Sequence, residues 1–211
     1  MAAALRSDRR RNPGANEDRL EFLRGFLARP KEVGSIIPSS RFLERRIIRC
    51  AGVAEASTVV ELGPGTGGTT RALLRAMAPH TRLVAVELNP RFVTHLRRQL
   101  PDRRLSVHEA SASDVGAILA AEGLEAADVI LSGIPFSTMP RPLGLAILGA
   151  VRGALRPGGR FVAYQFRDRV EVLGREVFGR PKVQTEIRNV PPMRVYTWER
   201  PAVPWERPAT R

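Results

Sequence analysis

Cysteine is nearly absent from this chain: Cys50 stands alone among 211 residues. An internal disulfide and a cysteine-based zinc cluster are therefore excluded. Beside Ile47 and Ile48, the lone thiol reads as a small core residue rather than a nucleophile. Long apolar runs are missing too, and none approaches the roughly 18 residues that span a bilayer. The N-terminus carries Arg6, Arg9, Arg10 and Arg11 with no apolar stretch behind them, so it does not read as a secretory signal. The expected location is the cytoplasm, or the inner face of the cytoplasmic membrane as a peripheral protein. Tyrosine is limited to Tyr164 and Tyr196, and lysine to Lys31 and Lys182 among 34 Lys and Arg residues. The formal charge of +13 favours anionic partners such as nucleic acid, anionic lipid or acidic protein. The arginine bias, accompanied by many alanines and prolines, can also reflect coding-DNA composition, which weakens the charge as a functional signal.

What is present is enough apolar residue, 43%, for one domain with a sizeable core. Residues 1–16 read as a flexible basic arm and 201–211, with three prolines, as a loose tail. Residues 17–50 read as N-terminal helices forming a lid on the membrane or substrate side. Within them, Leu20, Phe22, Leu23, Phe26 and Leu27 give one helix a broad apolar face with Arg19 and Arg24 on the other side. Pro30 stops that helix, and a second is expected over 40–50. From 51 to 200 strands and helices alternate. Strands are expected at 58–62, 83–87, 105–108, 128–132 and 160–166, with helices at 69–77, 90–100, 115–121 and 142–155. Near-continuous apolar strands between helices predict a parallel sheet covered on both faces. Two further strands, 183–190 and 193–198, flank Pro191-Pro192 and predict a closing antiparallel hairpin. This α/β layout, a Rossmann-like sheet that is mostly parallel with a C-terminal antiparallel hairpin and a leading amphipathic helix, resembles that of class I methyltransferases.

The sharpest motif is Val59-Val60-Glu61-Leu62-Gly63-Pro64-Gly65-Thr66-Gly67, where a strand turns into a helix. Gly63 permits the tight turn and Gly65 lets backbone approach a ligand. Glu61 can receive the ammonium of a methionine moiety. Gly63, Gly65 and Gly68 also satisfy the dinucleotide pattern G-x-G-x-x-G. Three features favour S-adenosylmethionine over a dinucleotide. An acid just before the turn suits a zwitterionic amino acid better than a pyrophosphate. A long helical segment precedes the first strand. Leu155-Arg156-Pro157-Gly158-Gly159, a turn that recurs in methyltransferases, precedes the fifth. Glu87 closes the second strand near the usual spacing of roughly 20 residues for a ribose-binding acid. Ser111 and Ala112 follow the third strand, where adenine is contacted in this fold, and Asp114 reads as a helix cap. No metal is needed for methyl transfer from a sulfonium.

Ser132-Gly133-Ile134-Pro135-Phe136 follows the fourth strand, where a methyl acceptor enters. Adenine N6-methyltransferases carry Asn/Asp-x-Pro-Tyr/Phe here. Gly133 offers no side chain at that position, so nucleic acid is disfavoured as the acceptor. Phe136 can stack on an acceptor or belong to the core.

Three segments resemble the soluble, membrane-surface type of bacterial phosphatidylethanolamine N-methyltransferase, a family itself similar to the rRNA adenine dimethyltransferases. They are Phe22 to Phe26 continuing from Arg29 through Ser40, Glu61 to Gly67, and Ile187-Arg188-Asn189-Val190-Pro191-Pro192 with Tyr196 and Trp198 behind. The resemblance implies a phospholipid headgroup amine as acceptor, converted toward phosphatidylcholine, and an anionic membrane surface as partner, with no obligate protein partner. It also implies that Ser35 and Ser39 close over the methionine end of the cofactor. The leading helix suits this: Phe22, Leu23 and Phe26 can enter the headgroup layer, and Arg19 and Arg24 can meet anionic lipid at about 1 kcal/mol each. Packing of the same face on the domain is the alternative.

Either tyrosine, Tyr164 near the active end of the fifth strand or Tyr196 in the last strand, can face the acceptor amine; a packing role is open for each. Arg167, Arg169, Arg188 and Arg194 can bind lipid phosphate or form a solvated basic face. His95 and His108 suggest no catalytic base. An rRNA adenine methyltransferase and a basic lipid-binding scaffold with a degenerate nucleotide fold are the competing readings.

Overall fold

The computed structural model describes residues 40–202. The expected basic arm, the expected helix with Arg19, Phe22, Leu23, Arg24 and Phe26, the serines Ser35 and Ser39, and residues 203–211 lie outside the described residues.

Seven strands form one sheet in the order β3-β2-β1-β4-β5-β7-β6. β1 (Thr58–Leu62), β2 (Arg82–Glu87), β3 (Leu105–Glu109), β4 (Ala127–Ser132) and β5 (Leu155–Gln165) run parallel to one another. β7 (Met193–Glu199) runs antiparallel between β5 and β6 (Lys182–Glu186). Every residue of β1 is buried, as expected of a central parallel strand covered on both faces.

On one face lie α1 (Arg41–Ala51) and α2 (Gly68–Ala76). Leu43, Ile47, Leu73 and Leu74 from these helices pack with Val59, Leu131, Val162 and Val195 of the sheet. On the other lie α4 (Val115–Ala121), α5 (Arg141–Ala154) and α6 (Arg169–Phe178). Their Val115, Leu119, Ile147, Leu148 and Leu173 pack with Val60, Leu62, Ile130 and Phe161. α3 (Pro90–Gln99) follows β2, begins on Asn89 as its cap and carries proline in its first turn.

Three expectations need correction. β5, expected over 160–166 after a turn at 155–159, begins at Leu155 and ends at Gln165. The hairpin's first strand, expected to reach Val190, ends at Glu186. Beyond it, Asn189 is drawn under the N-terminus of α1, where its Oδ1 accepts from the Ser40 amide at 2.9 Å. Pro191 and Pro192 have no N–H to extend a ladder. The segment after β5, where no helix is expected, forms α6. Its Val170, Leu173 and Gly174 are buried, and Gly174 lies so close to Trp198 that a Cβ there would stand 2.4 Å from the indole.

Candidate cofactor and acceptor site

The site forms at the C-terminal end of the parallel strands, where β1 and β4 part from the loops that follow them. Open α/β sheets bind ligands at this end. Gly63 leaves β1 with φ +71° and Gly65 continues with φ +56°, a left-handed path that a side chain would strain. A Cβ on Gly65 would meet nothing within 4 Å, so backbone is presented to open space. Gly67 caps the N-terminus of α2.

Glu61 is fully buried, and neither carboxylate oxygen has a hydrogen-bond partner. Burial pushes its pKa up to about 7, Glu87 adding to the rise and the nearby Thr70 hydroxyl opposing it. Thr70 is itself buried with an unpartnered hydroxyl. A buried, unpaired acid is costly unless a cationic donor meets it. The ammonium of a bound amino acid is such a donor, so the residues present fit the methionine end of S-adenosylmethionine.

Glu87, 5% exposed, accepts from the Gly65 amide at 3.1 Å and the Asn89 amide at 2.8 Å. The second strand's acid is thus tied to the glycine turn of the first. Burial raises its pKa while those N–H groups oppose the rise. Ser111 and Ala112 are both buried after β3. The Ser111 hydroxyl accepts from the Ser113 amide and pairs with its hydroxyl at 2.8 Å. Asp114 stands at the start of α4 but makes no capping hydrogen bond.

The loop after β4 packs against the glycine turn. The Gly133 amide donates to Leu62 at 3.0 Å. A Cβ on Gly63 would stand 3.0 Å from the Ile134 side chain, and a Cβ on Gly133 would stand 2.6 Å from the Tyr164 hydroxyl. The Ser132 hydroxyl accepts from the Ile134 amide, closing the turn, and Gln165 donates to the Ile134 carbonyl. Pro135 is half-buried. Phe136 is fully buried in the α4–α6 core.

The two tyrosines part company. In the β5–β7 register Ala163 faces Tyr196 and Tyr164 faces Val195. Ala163 and Tyr196 belong to the α4–α6 core, whereas Val195 lies in the α1–α2 core with Tyr164 against it. Glu61, opposite Leu131 in the register, is on the Tyr164 side. The Tyr164 hydroxyl lies 3.2 Å from Thr69 Oγ1 in the first turn of α2. Burial and the neighbouring Glu61 hold its pKa above the ordinary phenol range. Tyr196 instead stacks on Trp198, ring centroids 5.9 Å apart, with Arg194 beside its hydroxyl.

Sequence reasoning passed over Thr69, Thr70, Gln165 and Glu44. Two adjacent threonines opening the helix after the glycine turn were the available signal. Glu44 is brought in only by the docking of α1: its Oε1 lies 3.8 Å from where a Cβ on Gly68 would sit. His108 pairs with Glu122 at 2.8 Å and His95 is exposed, both away from the site. Among the described residues no His/Cys/Asp/Glu group could hold a metal ion, and no helix is long and apolar enough to cross a membrane.

Comparison with known proteins adds the following. Residues 60–161 match a family model described as a methyltransferase domain. An ornithine lipid N-methyltransferase of Singulisphaera acidiphila is 32% identical over 177 residues, 83% of this chain and 92% of that protein. The ribosomal RNA small subunit methyltransferase A of Bordetella pertussis is 32% identical over 150 residues, 71% of this chain but only 49% of that protein. Among solved structures, the N-methyltransferase NodS of Bradyrhizobium japonicum with S-adenosyl-L-homocysteine shares the fold. Its TM-score is 0.62 at 16% identity, covering 84% of this chain and 99% of that one.

Proposed function

The chain belongs to the class I S-adenosylmethionine-dependent methyltransferases, and from that premise we propose that it methylates the amine of a membrane-lipid headgroup. The observation that carries this reading is the acceptor loop. At the position where adenine methyltransferases hold a side chain over the base, Gly133 has none, and the Tyr164 hydroxyl occupies the room one would need. The near full-length likeness to a lipid N-methyltransferase supports the same acceptor class. The rRNA relative, by contrast, is matched over about half its length.

Glu61 takes the cofactor's ammonium, the Gly63–Gly65 backbone lines its path, Glu87 accepts the ribose hydroxyls, and Ser111 and Ala112 border the adenine. Ser35 and Ser39 remain assigned to its methionine end by resemblance. The bound cofactor supplies an electrophilic methyl group on a sulfonium, whose charge disperses as the bond breaks. Catalysis then rests on positioning an unprotonated amine in line with that methyl carbon. Tyr164 suits this task. Its raised pKa keeps the phenol neutral, and Thr69 fixes its hydroxyl, leaving lone-pair capacity for an amine N–H. An alkyl ammonium, with a pKa well above 7, gives its proton to solvent water more readily as it enters this desolvated cleft. The protein works at the inner face of the cytoplasmic membrane as a peripheral enzyme, with the segment of Phe22, Leu23 and Phe26 and its arginines Arg19 and Arg24 meeting anionic lipid.

Phosphatidylethanolamine, implied by the sequence resemblance, and an ornithine-type aminolipid, named for the relative, both display an amine at the membrane surface. Labelled S-adenosylmethionine should therefore be offered separately with vesicles of each lipid and with ribosomal RNA, and lipid products resolved by methyl number. Label in one or both lipids supports the reading and names the acceptor. Label in RNA alone overturns it.

A further inference from the structure

Five large apolar side chains are exposed among the described residues, and the two most exposed, Ile187 at 74% and Val190 at 87%, share the loop between β6 and β7. Phe166, 54% exposed, directly follows β5. β6 is parallel to β5, because β7 runs antiparallel to both. Both loops therefore leave the sheet at the end where the cofactor cleft opens. Exposed arginines intervene: Arg167 beside Phe166, Arg188 between Ile187 and Val190, and Arg194 at the start of β7.

The Ile187–Val190 loop is held from beneath. Asn189, 1% exposed, accepts from the Ser40 amide and donates to the Pro191 carbonyl at 2.9 Å. Arg188 donates to the buried Glu186 and lies over the Phe42 ring at 4.2 Å from its centroid. Asn189 is thus spent on anchoring, and Arg188, though exposed, is held by its pair with Glu186. The outward-facing Ile187 and Val190 are branched and apolar, although exposure in water gives them nothing. Arg194 lies beside the Tyr196 hydroxyl with Asp168 and Glu171 as the acids near it, and Glu186, the third acid of this rim, is already paired with Arg46 and Arg188.

We propose that Ile187 and Val190, with Phe166, form a docking surface that inserts into the headgroup layer of an anionic bilayer while Arg167 and Arg194 meet lipid phosphate. The assignment rests on the lipid-amine reading of the site and names the surface by which the cleft is brought to its acceptor. Apolar tips ringed by basic residues match the chemistry of a membrane interface, and anionic lipid is the charge complement of the arginines. Docking here turns the mouth of the cleft toward the bilayer.

The test is cosedimentation of the full chain with vesicles of phosphatidylcholine and phosphatidylglycerol in equal parts. Neither lipid carries a methylatable amine, so binding is read apart from catalysis. The Ile187→Ser/Val190→Ser variant should bind roughly tenfold or more weakly, given the apolar surface removed. Its calorimetric affinity for S-adenosylhomocysteine should be unchanged. Val172→Ser, at an exposed apolar site on α6, should bind vesicles like the parent. Vesicle binding unchanged in the double variant overturns the proposal, as does a parent protein that does not bind. A double variant that binds normally but melts at a lower temperature assigns these side chains to internal packing and overturns it equally. Failure of lipid methylation with docking intact would count against the acceptor reading alone.

Discussion

The Tyr164 hydroxyl stands 2.6 Å from the point where a Cβ on Gly133 would lie. No side chain fits at residue 133 unless the tyrosine moves, and the hydroxyl that fills the space also touches Thr69 of the cofactor-side helix. One contact therefore joins the acceptor loop, the fifth strand and the first turn of α2.

Gly133→Asn should lower stability by about 1–3 kcal/mol through overpacking. Adding Tyr164→Phe removes the clashing oxygen and should recover part of the loss. Chemical denaturation of the two variants checks this; a double variant no more stable than Gly133→Asn would contradict it.

Tyr164→Phe alone should lower kcat for lipid methylation at least tenfold while leaving cofactor affinity within a factor of about three, since the hydroxyl is assigned to the amine. Tyr196→Phe should leave kcat nearly unchanged. Its hydroxyl lies on the opposite sheet face beside the exposed Arg194, so its removal should change stability by no more than about 1 kcal/mol. Steady-state kinetics with vesicle substrate distinguish the two; equal losses would refute the division of roles.

Much of this arrangement is legible in the sequence. The runs Thr58 to Leu62 and Asp128 to Ser132 each centre on consecutive branched apolar residues, which suits covered strands, and the glycine turn after Glu61 marks the cofactor end of the sheet. The opposite orientations of Tyr164 and Tyr196 are not legible, because they depend on the antiparallel register of β7, which a one-residue slip would invert. α6 is obscured because Val172, 51% exposed, interrupts the helical spacing of Val170, Leu173 and Val177. The end of β6 at Glu186 is set by long-range partners, Arg46 and the Ser40 amide, that no local pattern announces. That hydrogen bond joins Ser40 to Asn189, two positions in separate segments that carry the family resemblance.

Asn189→Ala should destabilise the protein by about 1–3 kcal/mol, because it leaves the Ser40 amide and the Pro191 carbonyl without their partner. Thermal melts check the size of the effect; a loss under about 0.5 kcal/mol would show that water replaces the side chain freely.

Glu61 carries a stability penalty with a definite pH dependence. Its folded-state pKa of about 7 lies above the ordinary 4.5, so the ligand-free fold binds that proton more tightly than the unfolded chain does. Stability from this group is present at low pH and is lost as pH rises from about 4.5 through 7. Glu61→Gln should then stabilise the ligand-free protein at pH 8 by up to about 3 kcal/mol, with little gain near pH 4.5. Denaturation of both proteins at the two pH values checks it, and a variant less stable at pH 8 would contradict it.

The same carboxylate offers the most direct measurement. Calorimetric titration of S-adenosylmethionine into the parent protein should show affinity rising roughly tenfold or more between pH 5.5 and 7.5 as Glu61 ionises to meet the ligand's ammonium. Glu61→Gln should bind far more weakly and with little pH dependence. Equal, pH-independent binding by both proteins would contradict the assignment of this cleft to the cofactor.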